Sequence, residues 1–318
     1  MKTVRNLGEF GLIRALRAIV APPQRSGSSR GSVVVGIGDD CAVLRGTRHP
    51  KYLLFTCDPV VENVHYRRST PPRRVGWKAM ARNLSDIAAM GGIPRWAVVS
   101  LGLRSATRVD YVQQLYRGIR AVASRFGCQV VGGDVTRVAH EQFVAVSLVG
   151  EVEPSHLVLR SGARAGDAVF VTGRLGGAQR GRHLTFLPRI PEARWLAKHF
   201  RPHAMIDLSD GLSSDLRRLV EASRGRVGFE IQAARVPIAP AARGSLASAL
   251  NDGEDFELLF TADPQTVAAL RRRWNRRFDL PLTLIGRVTH SRGRTVLVEA
   301  DGTRKKLEPA GYEHFRNI

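Results

Sequence analysis

The first half of the chain alternates between short apolar runs and stretches of helical periodicity. Apolar residues recur every three or four positions over 77–88 and again over 109–126, which predicts two amphipathic helices. A proline pair at 71–72 suits the start of the first helix, and a glycine pair at 91–92 suits its end. The remaining predicted elements are strands at 32–37, 51–57, 96–103, 129–131 and 143–149, a helix at 10–20 and a loop at 22–32.

The pattern restarts after a polar, glycine-rich join at residues 161–167. Predicted strands lie at 168–172, 204–208, 227–231, 256–260, 282–288 and 295–299, and predicted helices at 191–200, 212–223 and 266–278. Strands and helices that alternate on this scale are typical of an α/β or α+β fold. We therefore predict two α/β domains, at residues 1–150 and 151–318.

Charge and composition narrow the choice of partners and location. The 49 basic residues outnumber the 28 acidic ones and give a net charge of +21, which favours nucleotides, phosphorylated metabolites and other anions as ligands. The arginines are spread along the chain, so a coding bias that leaves a generally basic surface stays an equal alternative. The three cysteines form no CxxC pair and no apolar run reaches membrane-spanning length. We expect a soluble cytoplasmic protein with no membrane partner.

The acidic residues, scarce in this basic chain, fall in glycine- or serine-flanked turns near strand or helix ends. Six segments share this feature: 36–40, 56–58, 83–86, 132–134, 206–211 and 253–257. Carboxylate oxygens are preferred Mg²⁺ ligands, and carboxylates gathered without cations would repel one another. Each segment alone is better explained by an ordinary turn or a solvated acid. Together they predict a metal cluster.

Familiar phosphate-binding and hydrolase signatures are missing from the sequence. It contains no G-x-x-x-x-G-K-[ST] loop, no HRD or DFG kinase signature and no HExxH pair. If the chain handles nucleotide phosphates, metal ions and arginines must neutralise their charge.

Ordered motifs along nearly the whole chain carry a family resemblance. They are GIGDDCAVL (36–44), TCDPVVENVHY (56–66), GWKAMARNLSDIAAMG (76–91), VVGGDVTR (130–137), RSGARAGD (160–167), IDLSDGLSSDL (206–216) and GEDFEL (253–258). With these motifs the chain resembles the thiamine-monophosphate kinases, in the aminoimidazole-ribonucleotide synthetase-like ATP-binding superfamily. The resemblance implies that ATP phosphorylates thiamine monophosphate to thiamine diphosphate. It also implies a homodimer in which N-terminal strands of two subunits form a β-barrel.

The resemblance also implies site residues. Family-like ligands of several Mg²⁺ ions fall on Asp40, Thr56, Cys57, Asp58, Asp86, Asp134, Asp207 and Asp210. Contacts with ATP, the co-substrate, fall on Tyr116, Gly133, Asp134, Arg160 and Ser209, and substrate contacts on His65, Glu254 and Tyr312. No further catalytic residue is expected, because the nucleophile is already a phosphate oxygen. We hypothesise that Asp58, Asp86 and Asp134 form the centre of the metal site.

The sequence departs from the family pattern at several positions. Asn63 stands where relatives have glycine, and the connection from Pro202 to the 206–211 motif is shorter than usual. Pro309 replaces a frequent aromatic residue, which leaves Tyr312 to stack on the thiamine ring.

Three alternatives stay open: a sister reaction such as aminoimidazole-ribonucleotide cyclo-ligation, a catalytically silent paralogue, and a basic nucleic-acid-binding protein, although no RNA-binding motif supports the last.

Overall fold

The computed structural model describes residues 3–20, 32–46 and 50–315, so most of the predicted loop at 22–32 lies outside the described residues. The N-terminal half contains the helices and strands α1 (Val4–Val20), β1 (Val33–Val35), β2 (Ala42–Arg45), β3 (Tyr52–Val61), α2 (Pro72–Ala89), β4 (Ile93–Leu103), α3 (Val109–Arg125), β5 (Gln129–Arg137) and β6 (Phe143–Val152). The six strands form one sheet in the order β1-β2-β3-β6-β4-β5.

One face of this sheet carries α2 and α3, and the strand pattern explains why. On β3, Leu54, Thr56 and Val60 are buried, whereas the intervening Phe55 and Cys57 are exposed. Side chains alternate between the two faces of a strand, so one face packs under the helices and the opposite face stays open.

The two helices pack against each other at unusually close range. A Cβ atom added to Gly118 of α3 would lie 1.9 Å from the carbonyl oxygen of Arg73, and one added to Gly76 of α2 would lie 2.0 Å from that of Leu115. Only glycine permits this approach, and the close contact fixes α2 on the sheet.

The C-terminal half contains a second sheet. Its elements are β7 (Ala168–Thr172), α4 (Ile190–His199), β8 (Ala204–Asp207), α5 (Leu212–Ala222), β9 (Gly228–Gln232), α6 (Leu246–Asn251), β10 (Leu258–Ala262), α7 (Val267–Arg277), β11 (Leu282–Thr289), β12 (Thr295–Val298) and β13 (Arg304–Lys306). The seven strands follow the order β13-β12-β9-β11-β7-β10-β8. On one face Val169 and Val171 pack in a core with α5; on the other, Phe170 and Phe260 join a core that continues into the N-terminal half.

The predicted α/β fold with two sheets is confirmed, and the sequence missed or misplaced a few elements. The strands β2 and β13 and the helix α6 were missed because each is very short. Residues 132–134 were read as a turn, but they belong to β5, where Gly132 pairs with Val98 and Asp134 pairs with Ser100. The domain boundary near residue 150 stays a prediction. None of the helices in the described ranges combines the length and apolarity needed to cross a membrane.

Candidate active site

A cavity of about 1130 Å³ opens where α2 meets elements of both sheets. Its wall is formed by the end of β3, by α2 and by the turn between β8 and α5, with further side chains from near both ends of the described chain. Carboxylates, guanidinium groups and a few aromatic and histidine rings all face this space. A concave, charged site of this size suits a polar ligand.

Three aspartates form the acidic centre of the cavity. One carboxylate oxygen from each of Asp40, Asp86 and Asp207 lies within 4.8 Å of the others. Asp40 precedes β2, Asp86 lies on α2 and Asp207 ends β8, so the cluster joins three distant parts of the sequence. Hard oxygen ligands at this spacing suit a divalent cation such as Mg²⁺. We call these three residues the aspartate triad.

Neighbouring side chains orient each carboxylate of the triad. The Thr56 hydroxyl donates a hydrogen bond of 2.5 Å to Oδ2 of Asp86, and the Ser85 hydroxyl donates one of 2.5 Å to Oδ2 of Asp207. The Nε of Arg160 donates to Oδ2 of Asp40 at 3.1 Å. Thr56 and Arg160 therefore lie beside the triad, and their roles toward metal and ATP stay predictions.

The electrostatics of the triad explain why it would attract a cation. Burial, followed by the charges of nearby aspartates, raises the pKa of Asp86 well above its ordinary value. Burial and the charge of Asp40 likewise raise the pKa of Asp207 to about 7. The neighbouring Asp39 has its pKa raised to about 7, also chiefly by burial. Carboxyl groups that hold protons near neutral pH release them when a cation binds.

Asp58 and Cys57 lie at the end of the cavity formed by β3. The Asp58 carboxylate pairs with Arg82 at 3.1 Å, and its backbone N–H donates to Oδ1 of Asn83 at 2.9 Å. The Cys57 side chain is exposed and accepts a hydrogen bond of 3.2 Å from the Ser147 hydroxyl. A thiol is a poor Mg²⁺ ligand, so any contribution of this residue falls to its backbone carbonyl.

The turn between β8 and α5 brings Ser209 and Asp210 to the cavity. Burial raises the pKa of Asp210, and the same cause raises that of Asp215 well above its ordinary value. Oδ2 of Asp215 accepts hydrogen bonds from the backbone N–H groups of Asp210 and Gly211, which fixes the turn. Asp39 and Asp215 were missed as site residues, although both belong to the quoted motifs.

The predicted substrate residues His65, Glu254 and Tyr312 face the same cavity. Oε2 of Glu254 lies 2.9 Å from Nδ1 of His183. The Tyr312 hydroxyl lies 3.1 Å from Nδ1 of His314, whose ring is 5.5 Å from that of His65. His183 and His314 were not predicted, and His183 carries no sequence signal because it sits in a short glycine-flanked turn.

Three of the residues that were predicted to bind ATP or a metal ion do not line this cavity in a single chain. Tyr116 lines a separate, mostly apolar cavity between α3 and β5, and Gly133 and Asp134 lie on the edge strand β5. The register places Asp134 beside Ser100 on the open face of the sheet, about 14 Å, or three strand spacings, from β3. The three residues of the hypothesised centre, Asp58, Asp86 and Asp134, are therefore not brought together within a single chain, and their role in metal binding stays a prediction.

The departures from the family pattern fit the local backbone. Asn63 adopts φ 63°, a left-handed conformation that asparagine tolerates better than most residues do, so it can replace the expected glycine. The short connection is accommodated because Arg201 turns the chain with φ 46° and β8 begins at Ala204, directly after Pro202 and His203.

Comparison with known proteins first defines the class. Residues 38–152 match the family model described as AIR synthase related protein, N-terminal domain. Thiamine-monophosphate kinase of Aquifex aeolicus is 35% identical, with 98% of this chain and 99% of the relative covered. That of Rhodopirellula baltica is 37% identical, with 89% and 92% covered.

A solved structure extends the comparison to three dimensions. AaThiL complexed with AMPPCP and TMP superposes with a TM-score of 0.82 at 34% identity, covering 99% of both chains. The chain belongs to the thiamine-monophosphate kinase family. The resemblance drawn from the sequence motifs is thus confirmed.

Proposed function

We propose that this chain transfers the γ-phosphoryl group of ATP to thiamine monophosphate, which produces thiamine diphosphate and ADP. The observation that carries the proposal is the single cavity in which the aspartate triad faces the wall containing His65, Glu254 and Tyr312. The solved relative complexed with AMPPCP and TMP supports the same pair of ligands.

The donor set of the triad fits Mg²⁺. Three carboxylate oxygens lie within 4.8 Å of one another, and the raised pKa values of Asp86 and Asp207 mark a site short of positive charge. When bound there, Mg²⁺ would screen the phosphate charges of two anionic reactants. We propose Asp40, Asp86 and Asp207 as the residues that hold it, with Asp58 and Asp210 nearby.

The chain's own residues supply positioning and fixed charge. Arg160, held against Asp40, places a permanent positive charge beside the triad. The attacking group is a phosphate oxygen that is already ionised, so no side chain has to remove a proton from it. Alignment of the two reactants and neutralisation of their charge therefore account for the rate enhancement.

His65 acts as a neutral hydrogen-bonding group in this proposal. Burial, followed by the charges of Arg82 and Lys78, lowers the pKa of His65 to about 3. Its Nδ1 accepts a hydrogen bond of 3.1 Å from the backbone N–H of Val61, which leaves the proton on Nε2 as a donor.

The direct test incubates the purified chain with Mg-ATP and thiamine monophosphate and separates the thiamine esters by chromatography. The proposal requires thiamine diphosphate and ADP in equal amounts, and no product without ATP. An imidazole product from the cyclo-ligase substrate would favour the sister reaction. ATP binding without ADP formation would identify a silent paralogue.

We further propose that a second copy of the chain covers the open face of the N-terminal sheet. Phe55 and Trp96 are each 44% exposed on that face and flank Val149 across neighbouring strands. Exposed aromatic side chains grouped on the open face of a sheet are typical of an interface. A partner sheet there would also offer Asp134 a site in the other subunit.

Subunit complementation tests this arrangement. Asp86→Asn and Asp134→Asn chains, each inactive alone, are co-expressed with different tags. A shared site predicts recovery of about one quarter of wild-type turnover, because half of the dimers are mixed and each mixed dimer has one intact site. No recovery in purified mixed dimers, or a wild-type chain that is monomeric by light scattering, would contradict the proposal.

A cytoplasmic location and the lack of a nucleic-acid partner stay predictions. The free thiols of Cys41, Cys57 and Cys128 fit a reducing compartment. Thermal stabilisation by Mg-ATP that an oligonucleotide does not reproduce would favour the enzyme over the nucleic-acid-binding alternative.

A further inference from the structure

Lys78 is a lysine whose side chain is fully buried, which is rare for this residue type. It lies on α2, one residue after Trp77, and is not among the described residues that line the cavity. Resting on the function proposed above, we propose that Lys78 is a positioning residue that holds Glu254 and the segment around His65 in place for thiamine monophosphate.

The ammonium group of Lys78 lies close to three groups. It donates to the carbonyl oxygen of His65 at 2.6 Å, forms an ion pair with Oε1 of Glu254, and lies 2.8 Å from Nδ1 of His183. The carbonyl and the carboxylate accept two of its protons, whereas Nδ1 of His183 donates to Glu254 and so cannot accept from Lys78 at the same time. The charge is thus used to hold neighbouring groups.

These partners belong to segments that are distant in the chain. His65 follows β3, His183 lies between β7 and α4, and Glu254 precedes β10. Lys78 therefore links the N-terminal helix α2 to two segments of the C-terminal half.

The loop that carries Glu254 needs such support. Glu254 has φ 56° and Phe256 has φ 49°, left-handed conformations that cost energy for residues other than glycine. Stacking of Phe256 on Phe186, with ring centroids 4.0 Å apart, holds one end of the loop, and Lys78 holds the carboxylate.

The charge state of Glu254 also depends on these contacts. Burial alone would raise its pKa, but the hydrogen bond from His183 and the charge of Lys78 lower it to about 2. Burial lowers the pKa of Lys78 to about 8. Both partners are therefore charged at neutral pH, and removal of the lysine would leave a buried carboxylate supported by His183 alone.

The test compares Lys78→Met with wild type and with Trp77→Phe, a matched control on the same helix. Trp77 donates from Nε1 to the carbonyl oxygen of Phe186 at 2.8 Å, so it joins the same two halves without touching Glu254. We expect Lys78→Met to raise the KM for thiamine monophosphate about tenfold or more, because small displacements of a positioning group are costly. The KM for ATP should change less than twofold, and the control should leave both values within twofold.

A double-mutant cycle separates positioning from a general structural effect. If Lys78 acts mainly through Glu254, adding Lys78→Met to Glu254→Gln should raise the KM for thiamine monophosphate much less than Lys78→Met does in the wild type, with the His65 carbonyl contact as the remaining effect. An unchanged KM in Lys78→Met, an equal rise in Trp77→Phe, or multiplicative effects in the double variant would each overturn the inference.

Two further measurements keep the test decisive. If Lys78→Met does not fold, as judged by its thermal unfolding with Mg-ATP, Lys78→Gln retains a donor for the His65 carbonyl and should show the same selective rise in KM. Wild-type turnover is measured in parallel: no turnover there would refute the proposed function, whereas turnover with an unaffected Lys78 variant would refute only the positioning role.

Discussion

The substitution Asp86→Asn removes one negative charge from the aspartate triad and keeps the side chain's shape. The Thr56 hydroxyl, which donates to Asp86 at 2.5 Å, can donate equally to the amide oxygen of asparagine. The change therefore isolates the charge at a position where burial and three other carboxylates raise the pKa well above its ordinary value.

The structure sets the size of the effect. At 4.8 Å, two unit charges repel by about 3 kcal/mol at an effective dielectric constant of about 20. Proton uptake by Asp86 relieves part of this repulsion in the metal-free protein. We therefore expect metal-free Asp86→Asn to be more stable than wild type by about 1–3 kcal/mol at pH 8. With Mg²⁺ the order reverses, and turnover falls about 100-fold or more because a carboxylate that would hold the charge-neutralising cation is lost.

Urea unfolding at pH 8 with EDTA and then with excess Mg²⁺ measures both halves of this prediction, and turnover is followed across a Mg²⁺ titration. Asp279→Asn, at an exposed position after α7, is the control with the same change of charge. Wild-type turnover at every Mg²⁺ concentration, or a variant less stable than wild type without metal, would refute the reasoning.

The site and the core give three other predictions. Asp39 and Asp207 have pKa values raised to about 7, so below that pH they keep two protons that Mg²⁺ must displace. From pH 7 to pH 6 each carboxyl group goes from about half ionised to about one tenth ionised, so calorimetry should show Mg²⁺ affinity falling about 30-fold; constant affinity would contradict this. Because the folded state binds these protons more tightly than the unfolded state, metal-free stability should fall as pH rises from about 4 to about 7. Gly118→Ala should lower the free energy of unfolding by about 3 kcal/mol or more, because its Cβ would overlap the Arg73 carbonyl oxygen. The control Gly36→Ala, whose Cβ would have its nearest neighbour 3.9 Å away, should change this free energy little. Equal urea midpoints for the two variants would contradict the packing argument.

Periodicity predicted most elements because each sheet and helix buries one face. It failed on α2, where Lys78, Asn83 and Ser85 are buried although the pattern assigns burial to the apolar positions. The C-terminal half covers the side of α2 that a single-domain pattern would leave in water. Polar residues on that side of α2 are buried by contacts with residues far away in the sequence, which a local hydrophobicity pattern cannot predict.

The sequence identified most residues of the candidate site but not how they are arranged in space. Asp40, Asp86 and Asp207 each stood in a recognisable motif, but only the crossing of α2 between β3 and β8 brings them together. For Asp134 the motif suggested a place in the same metal centre as Asp86. The strand register instead places Asp134 on the open face of the N-terminal sheet, opposite the face that carries α2. His183 lies in a turn with no distinguishing pattern, so its approach to Glu254 depends entirely on tertiary structure.

The most direct measurement is a crystal structure of the wild-type chain with AMPPCP, thiamine monophosphate and Mn²⁺, using anomalous scattering to locate the metal. We predict an anomalous peak within about 2.3 Å of carboxylate oxygens of Asp40, Asp86 and Asp207, with phosphate oxygens of the nucleotide on its other side. Metal bound elsewhere, with these three carboxylates turned away from both ligands, would contradict the account.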